Sequence, residues 1–485
     1  MKKGVAITAG VVIVGAGLWL GGTWYTGQRI EGEAPQRLAE ANEELAKALP
    51  GYNVKIEQLS FARSFFGSDA RYAVTLASPP ELKEDFPNGL RFEFDTHFQH
   101  GPFPGKALAA GHFAPSLAHV HSELAKTPDV EAWFKAAGDK TPFWADTIVG
   151  YSRNGKLHAE FLPLNFTKDD TKLSFGGATF KGDYTDSNKG TKGALTIPTV
   201  KVEGKDSKSP TGGMTTMQAD DLAITLDLRQ GNFGMQTGNS EIKIKTLAVD
   251  SEEVKFTVTN TSYGAETTED DKFVKGSIWY RTEALKANGK DIGSQDLTIK
   301  VDRVDGKALA SVSKLYNEIV AQQMRDGVPP EELSQAQIQQ LAEVALPMLD
   351  SNPSIAIEPL KIKNDKGESS LTAKLTLARP AGTQIPPLML AQQAIKSLEA
   401  SLSLNRPMAI QFGTQVMELQ GMSPEMAAAQ AKQQIEQTFG MAVMMNAGKV
   451  EGDNLTSTFS YGDGKINLNG RDMPADALLG SMLGR

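Results

Sequence analysis

Hydrophobic and polar positions along this chain follow three successive patterns: an uncharged run, a long region of alternation, and a region of helical spacing. The run from Gly4 to Trp24 contains 21 residues without a charge. As a helix with a rise of about 1.5 Å per residue it would be about 31 Å long, which matches the hydrocarbon core of a bilayer. The pattern predicts a transmembrane anchor over residues 1–27.

Aromatic side chains at the end of the uncharged run are typical of an anchor that settles at the lipid–water interface. A cleaved secretory signal is the alternative, but Val14-Gly15-Ala16 is a poor cleavage site. We therefore expect the segment to be retained in the membrane. Its predicted anchor residues are Val5, Val11, Val14, Leu18, Trp19, Trp24 and Tyr25.

The charges around the run predict its orientation. Lys2 and Lys3 precede it, so the positive-inside rule places the N-terminus in the cytoplasm and the body on the far side of the membrane, which is the periplasm if the cell is a bacterium with two membranes. Gly17 and Gly21 are four residues apart, a spacing that favours close approach of two membrane helices and therefore a homodimer. The alternative is that glycine is simply common in membrane helices.

After the anchor, residues 28–50 read as a linker with an amphipathic helix from Gln36 to Leu49, which Pro50-Gly51 ends. Over residues 51–305 the hydrophobic period changes to two. One example is the alternation of Phe92, Phe94, Thr96 and Phe98 with polar neighbours. This period predicts antiparallel strands with one buried and one solvated face.

Residues 306–485 return to helical spacing mixed with strands. Predicted helices start near Ala308, at Pro329-Pro330 and at Pro424. The last two are rich in glutamine and alanine, and each precedes a polar turn and an alternating strand. This order suggests two repeated units, although generic helix patterning would give the same likeness. The predicted class is α+β: a transmembrane helix, an extended antiparallel sheet, then helix-plus-strand units.

Composition narrows the function classes. The 485-residue chain has a formal net charge of −8, which argues against a nucleic-acid surface, because phosphate binding needs a basic stripe. It contains no cysteine, which excludes disulfides, thiolate metal sites and cysteine nucleophiles. We find none of the common hydrolase, metalloprotease or phosphate-loop motifs, and we do not expect an enzyme.

Histidine and methionine are unevenly distributed. Five of the six histidines lie within 25 residues, including His119 and His121, which would share one face of a strand. Metal binding is one interpretation, but Glu123 is the one carboxylate close by in sequence, so we predict solvated or hydrogen-bonded histidines with no metal and no cofactor. Ten of the sixteen methionines fall between Met389 and Met482. They form either ordinary helix core or a surface for apolar partners.

Three short motifs occur in order along the chain: Gly22–Gly27 (GTWYTG), His100–Pro104 (HGPFP) and Gly470–Pro474 (GRDMP), which Leu478-Leu479 follows. In this order they resemble the YdgA-like family of bacterial envelope proteins, over nearly the whole chain. The resemblance implies an inner-membrane protein with a large periplasmic portion. It brings no catalytic residues.

The second motif, His100, Gly101, Pro102 and Phe103, is a weak candidate site. Its prolines cannot continue a hydrogen-bonded ladder, so we expect a strand end or rigid corner with Phe103 tucked inward. A ligand contact at His100 is the alternative interpretation.

These patterns together predict a single-pass envelope protein whose periplasmic body binds lipid or other hydrophobic envelope components. A sheet with one apolar face and a methionine-rich region would suit that role. A dimeric envelope scaffold that binds no ligand is the alternative.

Overall fold

The structure is a computed structural model. It describes residues 38–43, 45–46, 53–64, 67–77, 89–100, 103–152, 154–168, 170–185, 189–205, 213–252, 255–325, 333–380, 393–462 and 464–474. The predicted anchor, with its residues Val5 to Tyr25 and the Gly17–Gly21 pair, lies outside these residues. Among the helices that are described, none has both the length and the apolar character needed to cross a membrane.

Strands dominate the described chain, which confirms the α+β class with an antiparallel sheet as its main component. Contacts divide the chain into two compact units. The first unit comprises Met1–Lys205, Asp220–Gln230 and Tyr316–Leu333. The second comprises Asp206–Ala219, Gly231–Leu315 and Ser334–Arg485. The domain boundaries expected at residues 27, 50 and 305 stay a prediction.

The strands up to Gln230 are β1 Lys55–Arg63, β2 Gly67–Leu76, β3 Leu90–His100, β4 Ser116–Leu124, β5 Phe143–Gly150, β6 Gly155–Phe161, β7 Leu164–Lys168, β8 Thr171–Phe175, β9 Ala178–Thr185, β10 Gly190–Lys205 and β11 Met214–Gln230. The later strands are β12 Gln236–Asp250, β13 Lys255–Glu269, β14 Phe273–Ala287, β15 Lys290–Asp305, β16 Ser354–Asn364, β17 Gly367–Leu377, β18 Ile395–Asn405, β19 Lys449–Glu451, β20 Asn454–Gly462, β21 Lys465–Leu468 and β22 Arg471–Pro474.

The described helices are fewer. They are α1 Gly105–Ala109, α2 Glu131–Ala136, α3 Gly306–Arg325, α4 Gln335–Ala345, α5 Arg406–Leu419 and α6 Pro424–Met444, with 3₁₀ turns at Pro128–Val130 and Leu346–Ser351. Residues 38–43 and 45–46 are also helical, within the amphipathic helix predicted from the sequence. Helix α6 begins at the proline predicted to start it. Helix α4 begins later than expected, because Ser334 and Gln337 form a capping box there.

In the first unit, strands β1 to β6 pair antiparallel in chain order, and β9 then pairs with β6 and with β10. The predicted alternation on β3 is confirmed, since Phe92, Phe94, Thr96 and Phe98 are all buried. Burying one such phenylalanine contributes about 1.5–3 kcal/mol. This unit therefore has a large hydrophobic core behind one face of its sheet.

The helical residues before β1 are fixed to that sheet. Leu45 is fully buried in the core. The Asn42 side chain accepts a hydrogen bond from the backbone N–H of Ile56 at 2.7 Å. It also donates one to the backbone carbonyl of Ile56 at 3.0 Å. An amide that satisfies both backbone groups of one residue defines the position of this short helix on β1.

In the second unit, β12 to β18 pair antiparallel in chain order, and β20 continues the sheet beside β18. Helices α3 and α4 lie between β15 and β16 in the sequence, and α5 and α6 lie between β18 and β19. Asn405 caps α5 by accepting from the backbone N–H of Met408 at 3.1 Å. Helices α5 and α6 pack as a hairpin with Ala427, Ala431 and Phe439 buried.

Candidate functional site

Seven neighbouring strands of the second unit place large apolar side chains in one row across the sheet. The register pairs each member with the next, from β12 through β18. Directly paired residues point to the same face, so the row is continuous. Its members are Ile242, Tyr263, Tyr280, Leu297, Leu360, Leu371 and Leu402.

Two further rows lie on the same face, both to one side of the first, with steps of two residues along each strand and one step of three at the β16 bulge. One contains Ala265, Ile278, Ile299, Ile357, Ala373 and Ala400, and the other contains Val301, Ile355, Leu375 and Leu398. We call the three rows together the apolar face. With about 4.8 Å between strands and 3.4 Å per residue, the three rows are about 29, 24 and 14 Å long and together about 14 Å deep, so the face covers about 300 Å² in projection.

The apolar face is not sealed. Every one of its side chains keeps accessible surface. Ile278 is 45% exposed, Ile355 42% and Tyr263 49%. The sequence predicted a buried face for these strands, and this expectation is wrong here, because no described element packs over these side chains closely enough to bury them. Contiguous apolar patches of about this size are often functional.

The other face of the same sheet is mainly polar, with Trp279 and Ala356 as apolar members. Arg281 lies opposite Asp296, with Nε 3.4 Å from Oδ1, and Lys300 forms an ion pair with Glu358 at 3.0 Å. Polar side chains continue this face on β17 and β18. The asymmetry shows that the apolar face is specific to one side of the sheet.

The α5–α6 hairpin borders the apolar face. Met408 of α5 contacts β17, where the Ser369 hydroxyl lies 2.9 Å from its sulfur. The Asn364 amide of β16 also donates to the Met408 carbonyl at 3.4 Å. Ser369 lies two residues before Leu371 and therefore on the same face. The hairpin thus packs at one end of that face.

The methionines of this hairpin are not ordinary core. Met408 is buried, but Met426, Met441, Met444 and Met445 are between 45% and 80% exposed. Phe412, Val416 and Leu419 of α5 are also exposed. Of the two interpretations offered by the sequence, the described structure favours an accessible apolar surface.

A second arrangement lies on the first unit, on the sheet face opposite the phenylalanine core. Cross-strand register aligns one residue from each of β2 to β6 in a line, and we call it the histidine row. Its members are Asp69, His97, His121, Asp146 and His158.

Carboxylates hold the imidazoles of this row. The Nδ1 of His97 lies 2.7 Å from Asp69 Oδ1, and the Nδ1 of His121 lies 2.9 Å from Asp146 Oδ1. His119 shares Asp146, with its Nε2 at 3.1 Å. Partial burial opposes ionisation of Asp146, but the hydrogen bonds from His119 and His121 outweigh it and hold the pKa of this carboxyl well below its ordinary value.

His119, which lies beside the histidine row, is more buried than His97 and His121, with 5% of its side chain exposed. Its Nδ1 has no hydrogen-bond partner among the described residues. Trp144 separates His121 from His158, with its ring 6.3 Å and 5.1 Å from theirs. The predicted hydrogen-bonded state of the clustered histidines is therefore seen at His97, His119 and His121.

An open hollow of about 540 Å³ lies beside the row, lined in part by Arg71, Asp95, His97, His121 and Glu123. Arg71 is bound to Asp95 through two nitrogen–oxygen contacts of 2.8 and 2.9 Å. Within the described ranges, no group of three or more His, Asp or Glu side chains is placed so that it could hold a metal ion.

The structure describes half of the predicted His100–Phe103 motif. His100 ends β3, and its Nε2 lies 3.2 Å from the Ser68 hydroxyl. Phe103 is 53% exposed, so the inward position predicted for it is wrong. It follows the last residue of β3, where strand alternation no longer sets side-chain direction. Gly101 and Pro102 lie outside the described residues.

Sequence reasoning missed Asp69, Asp146 and His158. They lie on three different strands, and only the cross-strand register brings them into one row with His97 and His121. It also missed the apolar face as a surface. The alternating pattern contained its residues, but alternation does not show what covers a face.

Comparisons with known proteins agree with the motifs found in the sequence. The chain is 30% identical to Protein YdgA of Escherichia coli K12 over 98% of its own length and 95% of that protein. It is 23% identical to the uncharacterized protein YihF of the same organism, over 97% of each chain. It is 22% identical to an uncharacterized protein of Haemophilus influenzae, over 66% of this chain and 87% of that one.

No solved structure matches the chain. Residues 1–476 match the family described as bacterial protein of unknown function (DUF945). The matched residues include all three motifs on which the resemblance rests: GTWYTG, HGPFP and GRDMP. The chain therefore belongs to the DUF945 family, which is the YdgA-like family.

Proposed function

We propose that this protein binds the acyl chains of lipids on the apolar face of its second unit. One observation carries the proposal: a row of seven apolar side chains crosses seven strands without a charge and stays accessible. Apolar patches of this size are often functional, and covering one is favourable because exposed apolar area is costly in water.

The chemistry of the face favours acyl chains as its occupant. It consists of aliphatic and aromatic side chains, with charges confined to the opposite face of the same strands. An acyl chain has no polar group to satisfy, and each methylene removed from water contributes about 0.8 kcal/mol. The α5–α6 hairpin beside the face carries exposed methionines, whose flexible side chains adapt to varied apolar shapes.

The proposed setting is the bacterial inner membrane. The uncharged segment from Gly4 to Trp24, behind Lys2 and Lys3, supports a single-pass anchor with a cytoplasmic N-terminus and a periplasmic body. A body tethered there meets phospholipid continuously. The proposed role is binding without a chemical step.

A photoactivatable fatty acid tests this proposal on the full-length protein in mild detergent. The test variant carries Ile278→Lys and Ile355→Lys, two changes at exposed positions of the apolar face. The control carries Ser277→Lys and Ser354→Lys, the adjacent positions on the polar face of the same strands. We expect the crosslinking yield of the test variant to be at least five-fold lower than that of the wild type, and the yield of the control to be unchanged.

Equal crosslinking in both variants would overturn acyl binding at this face. Native mass spectrometry of the same samples separates the alternative role. A lipid-free protein that forms dimers in the wild type and monomers in the Ile278→Lys, Ile355→Lys variant would favour a dimeric envelope scaffold.

A further inference from the structure

We propose that the first unit docks on an anionic lipid bilayer through one end of its sheet, where the side chains of Phe103, Leu108, Phe113 and Tyr151 are exposed. We call these four residues the apolar tip. The proposal rests on the proposed membrane setting of the protein. It is independent of acyl binding, which uses the other unit.

Strand register places the members of the apolar tip at the same end of the sheet. Strand β3 ends there and β4 begins there, so the connection between them, which carries the first three members, lies beyond that end. Ser116 of β4 pairs with Gly150 of β5. Tyr151 is the next residue, and it therefore leaves the sheet at the same end.

The β3–β4 connection is folded against the sheet. Pro104 and Ala107 are buried. The backbone N–H of Lys106 donates to the side-chain oxygen of Gln99 on β3 at 3.1 Å, and the N–H of His112 donates to the Ala107 carbonyl at 2.9 Å. The apolar side chains of the tip are therefore exposed on a connection whose own backbone is held in place.

The composition of the apolar tip matches a membrane-surface contact. Its side chains are between 36% and 75% exposed, and three of the four are aromatic. Single exposed apolar side chains are common on proteins, but these four share one end of one sheet. Phenylalanine and leucine enter the boundary between headgroups and acyl chains, and tyrosine settles at the level of the headgroups.

Local charge favours an anionic surface as the partner. The 13 residues from Phe103 to Pro115 contain no aspartate or glutamate, and their one charged side chain, Lys106, is exposed. Arg63 ends β1 at the same end of the sheet, where it pairs with Ser68 of β2. A negatively charged bilayer attracts such cations while the apolar side chains enter it.

The proposed anchor is close enough for this contact. The helical residues that begin at Leu38 are fixed to β1, and residues 25–37 separate them from the uncharged run. A chain of 13 residues reaches at most about 45 Å. Strand β3, with 11 residues, is about 37 Å long. The linker is therefore long enough for this end of the sheet to reach the bilayer that holds the anchor.

Labelling at single positions tests the contact on the full-length protein in nanodiscs of phosphatidylglycerol and phosphatidylcholine. The chain contains no cysteine, so one introduced cysteine carries the only fluorescent label. Ala114→Cys, beside Phe113, is the test position. Ala132→Cys is the control, an exposed alanine of α2 beyond the other end of β4. We expect nitroxide-bearing lipids to quench the label at 114 at least three-fold more than the label at 132.

Variants of the tip separate its apolar and electrostatic parts. Phe103→Ser with Phe113→Ser changes two exposed side chains, and it should reduce quenching at 114 to the level of the control position. Lys106→Glu should reduce quenching in the anionic nanodiscs and have little effect in nanodiscs of phosphatidylcholine alone. Quenching that is unchanged by Lys106→Glu in the anionic nanodiscs would overturn the preference for anionic lipid.

Equal quenching at positions 114 and 132, or quenching at 114 that survives the two serine substitutions, would overturn docking through the tip. Labels at 114 that contact each other in paired copies, without quenching by lipid, would overturn it in favour of self-association. Failure of the full-length protein to enter nanodiscs would overturn the membrane setting and this proposal with it. Entry without quenching at 114 would overturn this proposal alone.

Discussion

Tyr280 of β14 and Leu297 of β15 lie directly opposite each other in the middle of a seven-strand apolar row, and neither side chain is buried. A tyrosine–leucine pair at such a position normally lies beneath a second layer of structure. Here the pair contributes to a surface, and no described element of the second unit buries it.

The two units should therefore respond differently to loss of an apolar side chain. Phe94→Ala in the buried core of the first unit should cost about 3–5 kcal/mol of stability, because it leaves a cavity. Leu297→Ala on the apolar face should cost about 1 kcal/mol, since its side chain is only partly removed from water. Local hydrogen exchange of β3 and β15 measures both. A cost at Leu297 equal to that at Phe94 would show that the apolar face is buried.

The shared carboxylate of Asp146 should stabilise the first unit. Asp146→Ala removes the acceptor of both His119 and His121, and His119 is buried, so we expect a loss of about 1–3 kcal/mol. Asp69→Ala is the matched control. It removes one contact between side chains that are 75% and 48% exposed, and it should change stability little. Urea unfolding compares the two, and equal effects would contradict this account.

His100 predicts a pH dependence of stability. Burial lowers the pKa of His100 below the ordinary value of 6.5, and the nearby Arg63 and His97 lower it further. The folded state therefore binds this proton less readily than the unfolded state. The stability contributed by neutral His100 is complete above pH 6.5 and is lost as the pH falls towards the lowered pKa. NMR titration of its ring measures the pKa, and His100→Gln should reduce the slope of stability against pH below 6.5. An unchanged slope would contradict the assignment.

Gly293 should be intolerant of substitution. Its φ is 123°, and a Cβ there would collide with the Lys363 carbonyl of the paired strand. Gly289 is the control, since its φ is also positive, at 77°, but nothing lies within 4 Å of its added Cβ. Gly289→Ala should cost about 1 kcal/mol for the backbone conformation alone. Gly293→Ala should cost measurably more in thermal unfolding, and similar midpoints for the two variants would show that the strand pair relaxes freely.

Much of the fold could be predicted from local pattern. The alternation at Phe92, Phe94 and Phe98 identified a strand and its buried face, because successive side chains of a strand point to opposite faces and the apolar set shows which face is buried. The start of α6 at Pro424 followed from helix chemistry alone. Both depend on neighbours in sequence, and such signals are readable in one chain.

The candidate sites depend on neighbours in space, and these could not be predicted. His97 and His121 meet because β3 and β4 pair in one register, and a shift by one residue would place them on opposite faces. Whether Ile278 is covered depends on where the helices pack, which the pattern of β14 does not contain. Phe103 shows the same limit, since hydrophobicity suggested burial and the end of β3 left it exposed.

Mapping the residues labelled by a photoactivatable fatty acid on the full-length protein tests acyl binding most directly. Peptide mass spectrometry should find adducts on alternate residues of the strands from β12 to β18, with Ile278, Ile299 and Ile355 labelled and their polar-face neighbours unlabelled. Adducts confined to the segment from Gly4 to Trp24, or spread equally over both faces of the sheet, would contradict acyl binding at the apolar face.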